Sequence, residues 1–215
     1  MKYCKVLVGL MALVIGWMAT PVLAQSEASP AEALAETLQG YRTYQARFIQ
    51  ILVDENGGQV QETRGKLKAK RPGLFYWETS QPLAQFIVSD GERVSVYDPD
   101  LAQVTIHTLD DRASSTPALL LSGEVENLAD NYEVTTRRLG EETREFTLVP
   151  RNSDSLFVSL RLSFYQGELQ EMRMKDSLAQ LSILSFDQIR LNEELMDSAF
   201  TLEYPDDVDV IQDGA

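Results

Sequence analysis

The chain has 215 residues, with 33 Asp and Glu against 19 Lys and Arg and a formal net charge of −14 at pH 7. A surface that acidic repels nucleic acid and anionic membrane and favours a diffusing monomer. One His and one Cys in the whole chain leave little material for a metal centre or a thiol nucleophile, and no cofactor is expected.

Lys2 and Lys5 precede an apolar run over 6–19, and Pro21-Val22-Leu23-Ala24 follows. This is the order of a secretory signal peptide, with cleavage expected after Ala24. The run is shorter than the roughly 20 residues of a spanning helix. Cys4 lies before it, so it is not the lipidated cysteine of a lipoprotein signal. Residues 1–24 are therefore read as removed, and 25–215 as one domain held by ordinary packing without disulfides.

The first expected element is a helix. Ser29-Pro30-Ala31-Glu32 combines an N-cap Ser, Pro at the first helical position and Glu at the third. Ala31, Leu34, Ala35, Leu38 and Tyr41 then recur at helical spacing, and Gly40 is near the end. Short strands follow. Segments 44–53 and 59–70 flank Asp54-Glu55-Asn56-Gly57-Gly58, a hairpin signal. Further strands are expected at 74–79, 84–89, 93–97 and 103–109, separated by Gln81-Pro82, Asp90-Gly91 and Asp98-Pro99-Asp100. After Gly140 they recur at 144–149, 156–165, 169–175, 180–190 and 200–204. One insertion interrupts them: Thr116-Pro117 and Gly123 bracket Ala118-Leu119-Leu120-Leu121, a short helix. A second short helix is expected within 124–132. The fold class is mainly β (α+β), a meandering antiparallel sheet long enough to curl.

The chemistry-bearing residues are sparse. Asp98/Asp100 and Asp110/Asp111 lack calcium-loop spacing and read as solvated turn residues. His107 sits in an alternating strand, Thr105-Ile106-His107-Thr108, and there is no Gly-x-Ser-x-Gly elbow or phosphate-cradling loop. Carboxylate pairs suited to glycoside hydrolysis exist in any chain this acidic and carry no specificity. No enzymatic activity is expected. The apolar residues are more informative. Leu74-Phe75-Tyr76-Trp77 places large side chains on both faces of one strand, so both faces need cover. Leu119, Leu120 and Leu121 spread around a short helix and cannot all reach one flat surface. A curved sheet with a small helix in its open side answers both; from pattern alone a filled core is commoner than a ligand cavity.

Gly65-Lys66-Leu67, followed by Lys70-Arg71-Pro72-Gly73-Leu74-Phe75-Tyr76-Trp77, resembles the LolA family of periplasmic lipoprotein carriers. The likeness continues through Gln81-Pro82, Ile87-Val88-Ser89-Asp90-Gly91 and Tyr97-Asp98-Pro99, and returns at Ser115-Thr116-Pro117, so its ordered features span nearly the whole chain after Ala24. The resemblance implies a single curved antiparallel sheet forming an unclosed β-barrel, with an N-terminal helix and a short helical lid over an apolar cavity. It implies cargo of lipidated lipoproteins, received from a LolCDE-type inner-membrane transporter and passed to a LolB-type outer-membrane receptor, in the periplasm. It also implies site residues: Arg71 as a latch to the lid; Phe75, Trp77, Leu67, Leu74 and Phe48 at the cavity and its mouth; Pro117, Leu119, Leu120 and Leu121 on the lid helix. A lipid- or lipoprotein-sensing regulatory domain of the same fold is the alternative.

Overall fold

The computed structural model describes residues 28–108, 120–123, 125, 128–152, 155 and 157–212. Ser29 caps helix α1 (Pro30–Gln39) as the sequence predicts: its Oγ accepts from Glu32 N at 3.3 Å, and Glu32 Oε2 accepts from Ser29 N at 2.7 Å. The strands are β1 (Thr43–Val53), β2 (Gln59–Lys70), β3 (Leu74–Gln81), β4 (Gln85–Asp90), β5 (Arg93–Asp98), β6 (Gln103–Thr108), β7 (Tyr132–Arg138), β8 (Thr143–Pro150), β9 (Phe157–Tyr165), β10 (Glu168–Asp176), β11 (Leu181–Leu191) and β12 (Asp209–Gln212). They form one sheet in the order β12-β6-β5-β4-β3-β2-β1-β11-β10-β9-β8-β7. Two meanders thus join along β1 and β11, and edges β12 and β7 stay unpaired with each other. The sheet curves without closing, as expected, and one pairing, β12 with β6, is parallel.

The register assigns the faces. Across β1, β2 and β3, Tyr44, Ala69 and Phe75 lie opposite one another, as do Ala46, Leu67 and Trp77. These are buried and belong to the main core, where Leu34 and Leu38 of α1 join Phe146, Leu160, Leu162 and Leu169 of β8 to β10. Phe48 faces Gly65 in the same layer. A Cβ on Gly65 would lie 1.9 Å from Glu78 O and 2.6 Å from Phe48 Cζ, so only glycine fits beneath that ring. The Phe48 ring in turn stacks on Trp77 with centroids 3.9 Å apart.

The outer face of β3 to β6 has its own cover. Tyr76, Phe86 and Tyr97 form a ladder of rings 6.5 and 5.8 Å apart, extended by Tyr204 at 6.0 Å. Val88, Tyr97, Val104 and Phe200 are buried there, apart from the main core. This answers the demand of Leu74-Phe75-Tyr76-Trp77 for cover on both sides, and it corrects one expectation. Residues 200–204 are not a strand: a 3-10 helix, Asp197–Phe200, is followed by unpaired extended chain. The free edge of β6 is taken by β12, so this segment crosses the outer surface and buries Phe200 there. Lys70 anchors it, with Nζ 2.8 Å from Leu195 O and 2.6 Å from Asp197 Oδ1.

Three smaller differences concern edges. Within the helix expected at 124–132, α2 spans Leu128–Asn131 and Tyr132 already begins β7. Neither β7 nor β12 is evident from its sequence pattern; both are largely exposed edge strands with little apolar alternation. The expected cleavage site, Asp110/Asp111, Pro117 and Leu119 lie outside the described residues.

Candidate functional site

Inside the curve of the sheet, at the end carrying the β1–β2, β3–β4 and β10–β11 turns, lies a cavity of about 440 Å³. Leu160, Met172, Met174 and Leu184 of β9, β10 and β11 form one wall, with Trp77 and Ile87 of β3 and β4 opposite. The exposed loop Pro82-Leu83-Ala84 borders its mouth. Polar side chains cross it as well: Gln50, Gln61, Thr63, Thr79, Gln85 and Ser182. Asp98 is the one charged residue among the described lining residues.

Of the residues singled out by sequence, Trp77 lines this cavity directly. Phe48, Leu67 and Phe75 lie on the same inner face but in the packed layer beside it, with Phe75 and Trp77 rings 6.4 Å apart. Leu74 alternates to the outer face, outside both the main core and the cavity lining. The wall of β9 to β11 was not anticipated. Alternation marks Leu160, Met172 and Leu184 as inward-facing, but only the pairing of β1 with β11 brings them opposite Trp77.

The Arg71 contacts sit at the other end of the sheet. Arg71 follows β2, and its side chain gathers carbonyls from two elements. Nη2 donates to Leu120 O at 2.8 Å, Nη1 donates to Gly123 O, and Nε donates to Leu38 O in the last turn of α1 at 3.2 Å. Carbonyls at a helix end lack partners within the helix and favour a cation. The adjacent backbone adds a fourth bond, Gly73 N to Ser122 O at 2.7 Å. Gly73 has φ +75°, and a Cβ there would lie 2.7 Å from Gly91 Cα, while Gly91 has φ +97°, so the first glycine is required by close approach and the second by its left-handed backbone. Leu121 is buried and Leu120 packs against the main core. Segment 120–123 therefore rests in the apolar interior, tied by its backbone to Arg71 and Gly73.

The remaining polar candidates have local roles. Asp98 Oδ1 accepts from the backbone N–H groups of Asp100 and Leu101, at 3.1 and 3.2 Å, which caps the β5–β6 turn. His107 lies opposite Val94 in the β5–β6 ladder. Among the described residues no three His, Cys, Asp or Glu side chains gather as metal ligands, and no helix is long and apolar enough to cross a membrane.

Comparison with known proteins bears on the family and the fold. The family model described as "Outer membrane lipoprotein carrier protein LolA" matches residues 39–203. A protein of Chromohalobacter salexigens named outer-membrane lipoprotein carrier protein is 43% identical over 204 residues, covering 94% of this chain and 97% of its own. A protein of the same name from Pseudomonas fluorescens is 42% identical, covering 90% of this chain and 93% of its own. Among solved structures, an uncharacterized conserved protein from Thermus thermophilus shares the fold with a TM-score of 0.53 at 16% identity, over 85% of this chain and 97% of that one. The motifs, the open curved sheet and the matched length lead to one assignment: the chain belongs to the LolA family of outer-membrane lipoprotein carrier proteins.

Proposed function

We propose that this protein is a periplasmic carrier that shields the acyl chains of lipoproteins, exported by the signal segment 1–24 and released as a soluble protein. The observation that carries the reading is the cavity walled by Trp77, Ile87, Leu160, Met172, Met174 and Leu184. Each methylene hidden from water is worth about 0.8 kcal/mol, so several long chains represent tens of kcal/mol. No lipoprotein crosses water bare at that cost.

The cavity, at about 440 Å³, is too small for a whole cargo of several acyl chains. At about 30 Å³ for a group the size of water, 440 Å³ takes about 15 methylenes, one acyl chain. Leu120 and Leu121 occupy the same apolar interior as Phe75 and Leu67. Lifting segment 120–123 would open that space, and Arg71 opposes the lift. Arg71 thus acts as the latch that favours the empty state and helps expel cargo. The partners are a LolCDE-type transporter that loads the carrier and a LolB-type receptor that unloads it.

The test is mass spectrometry of the protein purified from the periplasm, followed by transfer of its cargo to a LolB-type receptor. Acylated lipoprotein should co-purify and move to the receptor without added nucleotide. A protein that carries no acylated species, and takes none up from detergent, is not a carrier.

A further inference from the structure

The cavity carries hydrogen-bonding groups that a container for hydrocarbon alone does not need. Gln50 Nε2 donates to Ser182 Oγ at 2.7 Å. Trp77 Nε1 donates to Thr79 Oγ1 at 3.1 Å, and Gln61 Nε2 donates to Thr63 Oγ1 at 3.3 Å. Each of these three hydroxyls already accepts an N–H, so each has its own proton left to give. Thr79 is more than nine-tenths buried and lies directly opposite Gln85 across β3 and β4; Gln50 lies opposite Thr63 across β1 and β2. The result is a slanted polar band over five adjacent strands, from Ser182 on β11 to Gln85 on β4, bordered by the apolar wall. Among the described lining residues there is no Lys or Arg, and the single charge, on Asp98, is negative.

We propose that this band selects the neutral ester and amide carbonyls that join acyl chains to a glyceryl-cysteine head, and rejects acyl chains carried on a phosphate. The proposal rests on the carrier reading above and adds the head-group chemistry. A carbonyl needs donors, which Ser182, Thr63 and Thr79 present, and it costs little to desolvate. A phosphodiester brings a charge into a site with no cation to pair it, and an unpaired buried charge is among the most costly groups to place. Asp98 adds direct repulsion. Phospholipids are the commonest two-chain lipids of any membrane the carrier meets. A cavity defined by hydrophobicity alone would fill with them, so discrimination by charge keeps it available.

The experiment compares lipids with matched palmitoyl chains, read through Trp77 emission: a synthetic tripalmitoyl-cysteinyl peptide, dipalmitoylglycerol and dipalmitoyl phosphatidic acid. Both neutral lipids should bind at least about tenfold more tightly than phosphatidic acid. Asp98→Asn, which keeps the turn cap, should narrow the gap by tightening phosphatidic acid alone. Thr79→Val and Ser182→Ala should weaken the neutral lipids several-fold, and Thr79→Ser should restore binding, with melting temperatures of all variants recorded to set aside loss of fold. Equal or tighter binding of phosphatidic acid overturns the selectivity while leaving the carrier reading intact. Failure of all three lipids to bind overturns both.

Discussion

The guanidinium of Arg71 donates to the carbonyl of Leu120 at 2.8 Å, and the same side chain holds Leu38 O of α1. One planar cation thus ties segment 120–123 and the N-terminal helix to the end of β2. A charge-assisted bond of this kind contributes roughly 1.5–3 kcal/mol to the state that contains it. Arg71→Leu should therefore bind acylated cargo about ten- to a hundredfold more tightly, since each 1.4 kcal/mol is tenfold. It should also fail to pass the cargo on. Arg71→Lys should be intermediate, because a single ammonium cannot reach three carbonyls as a planar fork does. Equal transfer rates for Arg71→Leu and the unaltered protein would remove the latch.

Gly65→Ala should be far more damaging than an exposed Gly→Ala change. The added methyl meets the Glu78 carbonyl and the Phe48 ring at distances that backbone and stacked rings cannot yield. We expect a loss of about 2–4 kcal/mol in chemical denaturation, the range of severe overpacking. A double variant with Phe48→Ala should not recover stability, because the Glu78 carbonyl remains in the way.

Phe200→Ala should separate stability from cargo binding. Phe200 is buried on the outer face, away from the cavity. Truncating a buried Phe costs about 3–5 kcal/mol. Its denaturation midpoint should fall accordingly, while acyl-ligand titrations read at Trp77 in the remaining folded protein should be unchanged.

Glu78 should make the outer face sensitive to acid. Partial burial pushes its carboxyl upward, but hydrogen bonds from Lys66 and Tyr76, with Lys66 Nζ 2.8 Å away, outweigh this and hold it below the ordinary value. A depressed carboxylate contributes stability that is present above its unfolded pKa, about 4.3, and is lost as pH falls through the lower folded value. Glu78→Gln should flatten that part of the stability–pH curve. An unchanged acid limb in the variant would show that the Lys66–Glu78–Tyr76 cluster adds nothing to folding.

Much of this architecture was written locally in the chain. The capping box at Ser29–Glu32, the hairpin turn after β1 and the alternation of β1 to β6 and β8 to β11 are short-range signals, readable because caps, turns and two-residue periodicity depend on near neighbours. Gly65 and the Arg71-Pro72-Gly73 run were visible as motifs, and their reasons became clear only in space: Phe48 crosses Gly65, and Gly73 abuts Gly91. The strand expected at 200–204 failed because an extended apolar segment looks the same whether it pairs with a strand or crosses a sheet. Likewise, nothing near Met172 or Leu184 in sequence says that they face Trp77. That depends on β1 pairing with β11, a contact between residues far apart in the chain. Local chemistry specified the elements and singled out Arg71; long-range pairing decided which walls enclose the cavity, because a cavity is a property of surfaces brought together and not of any one strand.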